Sequence, residues 1–163
     1  MQIISMQPAH WEQVKTIYES GIATGNATFQ TSAPSWDEWD KAHTQHCRLV
    51  AVEDDTVLGW AALTPVSGRC VYAGVAEVSV YIGEAARGKG IGSKLLQALI
   101  NESEGHGFWT LQAGIFPENV ASIRLHEQQG FRQVGYREKI GQMNGIWRNT
   151  VLMERRSKIV GLE

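Results

Sequence analysis

Residues 75–96 read VAEVSVYIGEAARGKGIGSKLL, and this stretch decides the fold. Its first third is rich in valine and predicts a β-strand. Gly88, Gly90 and Gly92 follow at alternate positions and lead into a leucine stripe with helical spacing that continues to Ile100. A strand, a short loop and a helix in this order predict the central unit of an α/β fold.

The glycine-rich segment has the properties of an anion-binding loop. A helix start presents backbone N–H groups without an acceptor in the helix, and the helix dipole adds positive charge there. Glycines keep side chains away from a bound anion, and Arg87 and Lys89 add charge. The spacing does not fit a nucleoside-triphosphate loop, because Gly90 and not Ser or Thr follows Lys89, and it does not fit the Gly-x-Gly-x-x-Gly dinucleotide motif. A flexible turn without a ligand is the remaining alternative.

Outward from this unit, helical and strand patterns alternate along the chain. We predict an α/β fold with a mixed central sheet of about six to seven strands and about four flanking helices. Residues 1–163 are expected to form a single domain, with a C-terminal tail from about residue 156. Strands are predicted at residues 2–6, 48–53, 57–64, 75–82, 109–116, 132–139 and 147–154, and helices at residues 8–20, 36–46, 91–105 and 119–129.

The composition argues against several classes of function. Hydrophobic residues make up 43% of the 163 residues and the formal net charge is −2, so the chain can form a core but has no global positive field for nucleic acid. No apolar run approaches the ~20 residues of a membrane helix. Residues 1–6 lack the basic and apolar pattern of a signal peptide. We therefore expect a cytoplasmic protein that binds neither nucleic acid nor membranes.

The two cysteines, Cys47 and Cys70, are expected to be free thiols in a cytoplasmic chain. His43, His46 and Cys47 are close enough in sequence to suggest metal ligands. A polar helix face that runs into a strand explains the same three residues, and the sequence contains no second ligand cluster. No metal site is predicted.

A second informative block follows the glycine-rich segment. It contains Asn119 and Ser122 at a predicted helix start, where such side chains cap helices, and then His126. Together the two blocks resemble the GNAT superfamily of N-acetyltransferases. Arg87-x-x-Gly90-x-Gly92 is similar to the pyrophosphate-binding motif of that superfamily, and residues 119–131 are similar to its second conserved block.

Further matches narrow the resemblance to one branch, the phosphinothricin and methionine-sulfoximine acetyltransferases. The likeness covers the chain from about residue 2 to residue 155. The residues that carry it are 27–29, Tyr72, 77–81 and Gly145-x-Trp147.

The resemblance implies acetyl-CoA as the cofactor and assigns the residues that bind it. The pyrophosphate would lie on the glycine-rich segment. The pantetheine arm would pair with the edge of a strand that is splayed from its neighbour, and a backbone amide of this strand would polarise the thioester oxygen. The expected cofactor-binding residues are Val78, Ser79, Val80, Arg87, Gly88, Lys89, Gly90, Ile91, Gly92, Ser93, Asn119 and Ser122.

Acetyl transfer to an amine requires a neutral amine, a polarised carbonyl and a stabilised leaving thiolate. Glu77 interrupts an apolar strand and is the candidate that accepts the ammonium proton, directly or through water. The alternatives are that it only holds the ammonium or that it lies on the solvent face of the strand. His126 stands where many GNAT proteins have a tyrosine that protonates the thiolate, and histidine can donate a proton too. The alternative for His126 is a structural side chain on a helix.

The acceptor pocket is expected to have aromatic walls. Phe29 and Tyr72 lie in predicted loops and match the family, so together with Glu77 they are the predicted substrate-binding residues. Other aromatic residues are wall candidates that can equally belong to the core, namely Trp36, Trp39 and Trp147.

The partner of the acceptor's carboxylate is left open, with Arg69, Arg148 and backbone amides as candidates. The chain also departs from its branch at two positions. A subset of the branch has histidine where this chain has Asn144, and aspartate is frequent where it has Asn149. Both departures weaken phosphinothricin as the specific substrate.

These features predict an acetyl-CoA-dependent N-acetyltransferase. The expected acceptor is the primary amine of a small amino-acid-like molecule of the phosphinothricin, methionine sulfoximine or methionine sulfone type, which attacks the thioester directly. The alternatives are acetylation of a protein N-terminus or of another small amine, and a regulatory module that binds acyl-CoA without turnover. The resemblance also implies a homodimer.

Overall fold

The computed structural model describes residues 1–163. The protein consists of a mixed sheet of seven strands with helices on both faces. The strands are β1 (Gln2–Ser5), β2 (Arg48–Glu53), β3 (Thr56–Pro65), β4 (Val75–Ile82), β5 (Thr110–Ile115), β6 (Arg132–Met143) and β7 (Ile146–Arg156). The helices are α1 (Trp11–Ala23), α2 (Trp36–Ala42), α3 (Ile91–Gly105) and α4 (Val120–Gln128). The predicted α/β class is confirmed, as are the predicted numbers of strands and helices. None of the helices combines the length and the apolar character that crossing a membrane requires.

Each face of the sheet carries its own apolar cluster, because side chains alternate along the inner strands. On β3, Ala61 and Leu63 belong to one cluster, and Trp60 and Ala62 belong to the other. The leucine stripe of α3 covers the first face, and α1 and α2 cover the second. Each fully buried leucine of this stripe stabilises the fold by ~1.5–3 kcal/mol.

The strand order is β1-β2-β3-β4-β5-β7-β6, and β4 and β5 are its one parallel pair. They pair only over Val75–Glu77 and Thr110–Gln112. Beyond Glu77 the two strands separate, while β4 continues to pair with β3 as far as Ile82. The sheet therefore opens in its middle, and one edge of β4 is left without a partner strand.

Helix α2 is shorter than the sequence predicts, since it ends at Ala42 and not near residue 46. The guanidinium group of Arg48 donates hydrogen bonds to the carbonyl oxygens of Asp40 (3.1 Å), His43 (3.3 Å) and Thr44 (2.8 Å). A side chain from β2 thus satisfies carbonyl groups at the end of the helix that further helical turns would otherwise use.

The last two strands form a hairpin that is longer than predicted. Strand β6 runs to Met143, and the turn consists of Asn144 (φ 50°) and Gly145 (φ 78°). Two successive positive φ angles are typical of the two-residue turn that matches strand twist, and Asn-Gly is its preferred sequence. The register shifts between Arg137 and Gly141, so β6 bulges before it reaches the turn.

Candidate active site

A cavity of about 360 Å³ lies where β4 and β5 separate. Residues 77–81 of β4 and residues 113–116 at the end of β5 form two of its walls. Val78, Ser79 and Val80 lie on the stretch of β4 that has a partner strand on the β3 side only. The remaining wall residues are Ala27, Thr28, Phe29, Asn119, Ser122, His126, Arg137, Ile140 and Thr150.

Glu77 stands at the point where the strands part. It is the last residue of β4 that pairs with β5, where it lies opposite Gln112. A side-chain carbon at Gly114 would lie 3.8 Å from Glu77 Oε1, so this glycine keeps the neighbouring strand clear of the carboxylate. None of the four ion pairs of the protein involves Glu77. The carboxylate is therefore free to bind or deprotonate a cation that enters the cavity.

The glycine-rich segment has two left-handed glycines and leads into a helix start with free backbone amides. Gly88 (φ 77°) and Gly90 (φ 76°) are both left-handed, and a side-chain carbon at either position would meet no atom within 4 Å. The first backbone hydrogen bond of α3 runs from Lys94 N to Gly90 O at 3.3 Å, so the N–H groups of residues 91–93 have no acceptor in the helix. Such a row of free amides at a helix start fits a diphosphate.

Gly92 has a different role from the two glycines before it. It lies inside α3, where a side-chain carbon would come 3.3 Å from Leu125 Cδ2 of α4 and 3.6 Å from Ile82 Cγ1 of β4. The missing side chain lets the start of α3 pack closely against both elements. The free amides are thereby held beside the open end of β4.

His126 lines the cavity from α4 and is only 4% exposed. Its Nδ1 lies 2.7 Å from the carbonyl oxygen of Ser122. A carbonyl can only accept, so Nδ1 carries the proton and donates it. Burial lowers the pKa of His126 and so favours the neutral ring, while the hydrogen bond to Ser122 opposes this shift. Nε2 is therefore an acceptor in the resting protein.

Phe29 supplies the aromatic wall. Its ring packs edge-on against Phe116 with 4.8 Å between the centroids. A side-chain carbon at Gly141 would lie 2.9 Å from the Phe29 ring, so glycine at this position of β6 allows the ring to lie against the strand.

Two side chains fix the loop that carries Phe29. Arg148 donates from one guanidinium nitrogen to Gly25 O (2.9 Å) and from the other to Asn26 Oδ1 (3.0 Å), while its Cζ lies 4.0 Å from the centre of the Phe116 ring. Asn119 donates from Nδ2 to Asn26 O (3.2 Å), and its Oδ1 accepts from the Ser122 N–H (3.2 Å) as the cap of α4. The guanidinium of Arg148 is thus committed to the loop and is not free for an acceptor.

The sequence profile of the Acetyltransferase (GNAT) family matches residues 11–131. YwnH of Bacillus subtilis is 38% identical over 139 residues, which cover 82% of this chain and 85% of YwnH. The phosphinothricin N-acetyltransferase of Alcaligenes faecalis is 35% identical over 152 residues, or 87% of this chain and 75% of that protein. The L-methionine sulfoximine/L-methionine sulfone acetyltransferase of Pseudomonas paraeruginosa is 35% identical over 122 residues, or 71% of this chain and 69% of that protein.

The chain belongs to the GNAT acetyltransferase family. Solved structures agree with this assignment. A GNAT superfamily phosphinothricin acetyltransferase from Sinorhizobium meliloti, in complex with acetyl-CoA, has a TM-score of 0.88 at 27% identity and covers 99% of this chain and 91% of that one. A ribosomal-protein-alanine N-acetyltransferase from Brucella melitensis has a TM-score of 0.88 at 29% identity and covers 96% of this chain and 100% of that one. The protein is an N-acetyltransferase that uses acetyl-CoA, as the sequence predicts.

Several aromatic residues proposed for the pocket of this acetyltransferase lie elsewhere. Tyr72 is 46% exposed on a short 3₁₀ helix (Cys70–Tyr72), outside the cavity wall, with Arg69 Cζ 5.6 Å from its ring centre. Trp39 is fully buried in the α1–α2 cluster, against which Trp36 also packs. Trp147 is exposed on the β6–β7 hairpin. Of the predicted aromatic walls, Phe29 is the one that the fold brings to Glu77.

Sequence reasoning missed the wall that β6 provides. Arg137 and Ile140 reach the cavity on either side of Lys139, whose φ of 48° marks the bulge. The bulge is held by Asn149, whose Oδ1 accepts a hydrogen bond from Lys139 N at 2.7 Å. An aspartate at this position would offer the same acceptor. The positive φ of a bulged lysine has no sequence signal, so Arg137 could not be assigned to the site in advance.

Proposed function

We propose that this enzyme acetylates the primary amine of a small zwitterion of the phosphinothricin, methionine sulfoximine or methionine sulfone type. The observation that carries the proposal is the cavity, in which the unpaired carboxylate of Glu77 shares a small volume with the aromatic wall of Phe29. A cavity of about 360 Å³ is of the size that small-molecule sites have. The activities named for two relatives support this acceptor class.

The residues proposed to hold acetyl-CoA lie at the start of α3 and on β4, which pack closely together at Gly92 and Ile82. The free amides of residues 91–93 fit its pyrophosphate, and the exposed side chains of Arg87 and Lys89 add positive charge beside them. The open edge at residues 78–80 suits the pantetheine arm, and an amide of this edge is the proposed donor to the thioester oxygen. When bound, acetyl-CoA supplies the electrophilic carbonyl carbon.

Glu77 is proposed to accept the first proton. An acceptor amine enters as an ammonium ion, and a carboxylate without an ion-pair partner attracts it and then takes its proton, directly or through water. The neutral amine that results has the lone pair needed for attack. The position of Glu77 at the mouth of the strand opening supports this role, because it lies next to the residues proposed to orient the thioester.

His126 is proposed to return the second proton. The amine loses this proton as the amide bond forms, and Nε2 of the neutral imidazole can take it. The imidazolium then donates the proton to the departing thiolate. Because burial lowers the pKa of His126, the ring releases the proton readily once a stronger base is present.

Arg137 is the proposed partner of the acceptor's carboxylate. It is a cation on the cavity wall, and it takes part in none of the ion pairs of the protein. A guanidinium group matches a carboxylate with two parallel hydrogen bonds. Glu77 for the ammonium group and Arg137 for the carboxylate together account for selection of an amino acid.

Acetylation of a protein N-terminus is the second candidate, because the solved structure of a ribosomal-protein-alanine N-acetyltransferase has a TM-score of 0.88 to this chain. An N-terminal residue within a peptide has no free α-carboxylate. A requirement for Arg137 would therefore favour the free zwitterion, and indifference to Arg137 would favour the peptide.

The first experiment measures the release of CoA thiol from acetyl-CoA with methionine sulfoximine, methionine sulfone, phosphinothricin and an alanine-initiated peptide offered separately. Turnover with a zwitterion is expected to fall ~10²–10⁴-fold in Glu77→Gln, since proton transfer to a placed side chain contributes this much. Affinity for acetyl-CoA should not change in that variant. Turnover with the peptide alone would overturn the proposed acceptor, and an unchanged rate in Glu77→Gln would overturn the proposed base.

A homodimer in the cytoplasm is the proposed assembly and compartment. The β6–β7 hairpin exposes large apolar side chains beside the cavity wall, including Tyr136, Ile146 and Trp147. Apolar side chains of this size are typical of surfaces that another protein covers. Both cysteines are free thiols, which agrees with a reducing compartment.

A further inference from the structure

A second group of ligand-type side chains lies at the other end of α3. Cys47 immediately precedes β2 and is buried, and its Sγ lies 4.0 Å from Nδ1 of His106. The backbone N–H of Cys47 donates to Glu102 Oε1 at 3.4 Å. One ligand atom from each of these three residues lies within 4.8 Å of the other two.

This cluster is separate from the acetyl-transfer cavity. Glu102 lies eleven residues after Ile91. A helix rises 1.5 Å per residue, which places the cluster roughly 16 Å from the free amides at the helix start. None of the three residues lines the cavity. Any ligand of the cluster therefore belongs to a site of its own.

The three side chains form a mixed set of sulfur, nitrogen and oxygen ligands. Zn²⁺ accepts such a set in tetrahedral geometry, with bonds of about 2.3 Å to sulfur and about 2.0 Å to nitrogen. These bonds imply a separation of about 3.5 Å between sulfur and nitrogen. The observed 4.0 Å between Cys47 Sγ and His106 Nδ1 is about 0.5 Å longer than this. Nδ1 also lies 3.0 Å from the carbonyl oxygen of Glu102, so the exposed ring must turn away from this carbonyl, or bind through Nε2, to ligate an ion. Glu102 and His106 are four residues apart, so they lie on one face of the last turn of α3.

A fourth candidate ligand stands beside the cluster. The ring of His46 stacks on the ring of His106 with 4.3 Å between centroids and 23° between planes. Both rings are exposed, so an ion can reach the cluster from solvent.

The backbone at Cys47 is also unusual. Its φ of 60° is left-handed, which costs an L-residue ~1–2 kcal/mol. Strained residues of this kind concentrate at functional sites. This conformation turns the chain immediately before β2. The Cys47 side chain is 1% exposed, whereas His46, the residue before it, is exposed.

We propose that Cys47, Glu102 and His106 bind one Zn²⁺ ion, and that the ring of His46 turns from its stack on His106 to supply the fourth ligand. The thiol proton leaves to solvent as the sulfur–metal bond forms, and the imidazole nitrogen that binds the ion carries no proton, so the ring proton lies on the other nitrogen. The ion links the start of β2 to the end of α3 and so stabilises the fold by binding the native state alone. His46 and Cys47 are two of the three residues whose spacing suggested metal ligands, whereas Glu102 and His106 lie 55 and 59 residues from Cys47 and were not predicted.

The test uses the full chain without a histidine tag and titrates it with Co²⁺, a spectroscopic substitute for Zn²⁺. The expected result is one Co²⁺ per chain with a sulfur-to-cobalt charge-transfer band, which Zn²⁺ removes by competition. The band should disappear in Cys47→Ala. In His106→Ala the dissociation constant should rise at least ~10-fold, as happens when metal-site partners are lost. Cys70→Ala is the matched control, because it removes the other free thiol, which is exposed and distant in the chain.

Folding is checked separately, because Cys47 is buried whereas His106 is exposed. Zn²⁺ should raise the Tm of the wild type and of Cys70→Ala, and should not raise the Tm of His106→Ala. Absence of the band in the wild type, its loss in Cys70→Ala, or equal affinity in His106→Ala would each overturn the site. Unchanged affinity in His46→Ala would overturn the fourth ligand.

Discussion

Arg137 and Arg69 differ in their position relative to the cavity, and single substitutions can test which of them binds the acceptor's carboxylate. Arg137 lies on the cavity wall, whereas Arg69 lies above the exposed ring of Tyr72 and outside the wall. Neither takes part in an ion pair. The location of the positive charge, and not its presence, should therefore decide which arginine an acceptor's carboxylate uses.

We expect Arg137→Gln to raise the KM for methionine sulfone ~10–150-fold, because a hydrogen bond to a charged group contributes ~1.5–3 kcal/mol. The KM for acetyl-CoA should not change. Steady-state kinetics with methionine sulfone and with its carboxamide provide the measurement, since the variant should lose the preference for the free carboxylate. Arg69→Gln is the matched control. A larger effect in Arg69→Gln than in Arg137→Gln would move the carboxylate subsite to the β3–β4 connection.

At the scale of elements, the strand–loop–helix unit of β4 and α3 is the part that sequence predicts best. Its strand bounds agree with the structure, and Gly88 and Gly90 adopt left-handed angles, as an anion loop at a helix start would. The signals are local, since each glycine acts on its own φ angle. The end of α2 and the bulge of β6 depend on side chains of other elements, Arg48 on β2 and Asn149 on β7. The early end of the helix and the cavity wall formed by β6 were therefore not predictable from periodicity.

The role of the α3 start in cofactor binding can be tested by replacing two glycines that have similar left-handed φ angles. Gly90 (φ 76°) precedes the helix and Gly107 (φ 84°) follows it, and alanine at either position would meet no atom within 4 Å. Both Gly→Ala changes should cost ~1–2 kcal/mol of backbone strain. We expect the loop of Gly90→Ala to relax out of the left-handed angle in the free protein, so that acetyl-CoA must restore the strain on binding and its KM rises ~5–30-fold.

Gly107→Ala should lose similar stability in thermal unfolding while keeping the KM for acetyl-CoA. Equal KM values in the two variants would show that the amides of α3 do not bind the cofactor.

At the scale of the whole molecule, the partly buried His43 and the buried His126 make the free energy of unfolding depend on pH. Burial lowers the pKa of His43 and of His126 below the ordinary 6.5. The unfolded chain therefore binds protons at these residues at a higher pH than the folded chain does. Stability is fully present above about pH 6.5 and falls as the pH drops below it, by up to ~1.4 kcal/mol per pH unit for each histidine.

We expect the free energy of unfolding, measured in urea from pH 7.5 to pH 5.5, to decrease towards the acid end. His126→Gln should flatten this slope even if it lowers stability at every pH. Identical slopes in the two proteins would mean that His126 is protonated equally in the folded and unfolded states.

The proposed dimer is also a property of the whole molecule. Ile146 and Trp147 at the tip of the β6–β7 hairpin are 64% and 57% exposed, and Ile159 in the C-terminal segment is 72% exposed. Light scattering should give twice the chain mass for the wild type and for Ile159→Ser, and the single chain mass for Ile146→Ser/Trp147→Ser. A dimer that survives the hairpin substitutions would move the interface elsewhere.

Asn119 connects two parts of the protein that contact different ligands. Its Oδ1 caps α4 beside the proposed cofactor site, and its Nδ2 holds Asn26 in the loop that carries Phe29. A shift of the α4 start on cofactor binding would therefore reach the acceptor wall through one side chain. Linkage then makes the effect mutual, since each ligand must change the other's affinity by the same factor. The coupling between the two substrates' affinities thereby depends on this one amide, and in Asn119→Ser, which keeps the cap but releases the loop, the affinity for each substrate should depend less on whether the other is bound.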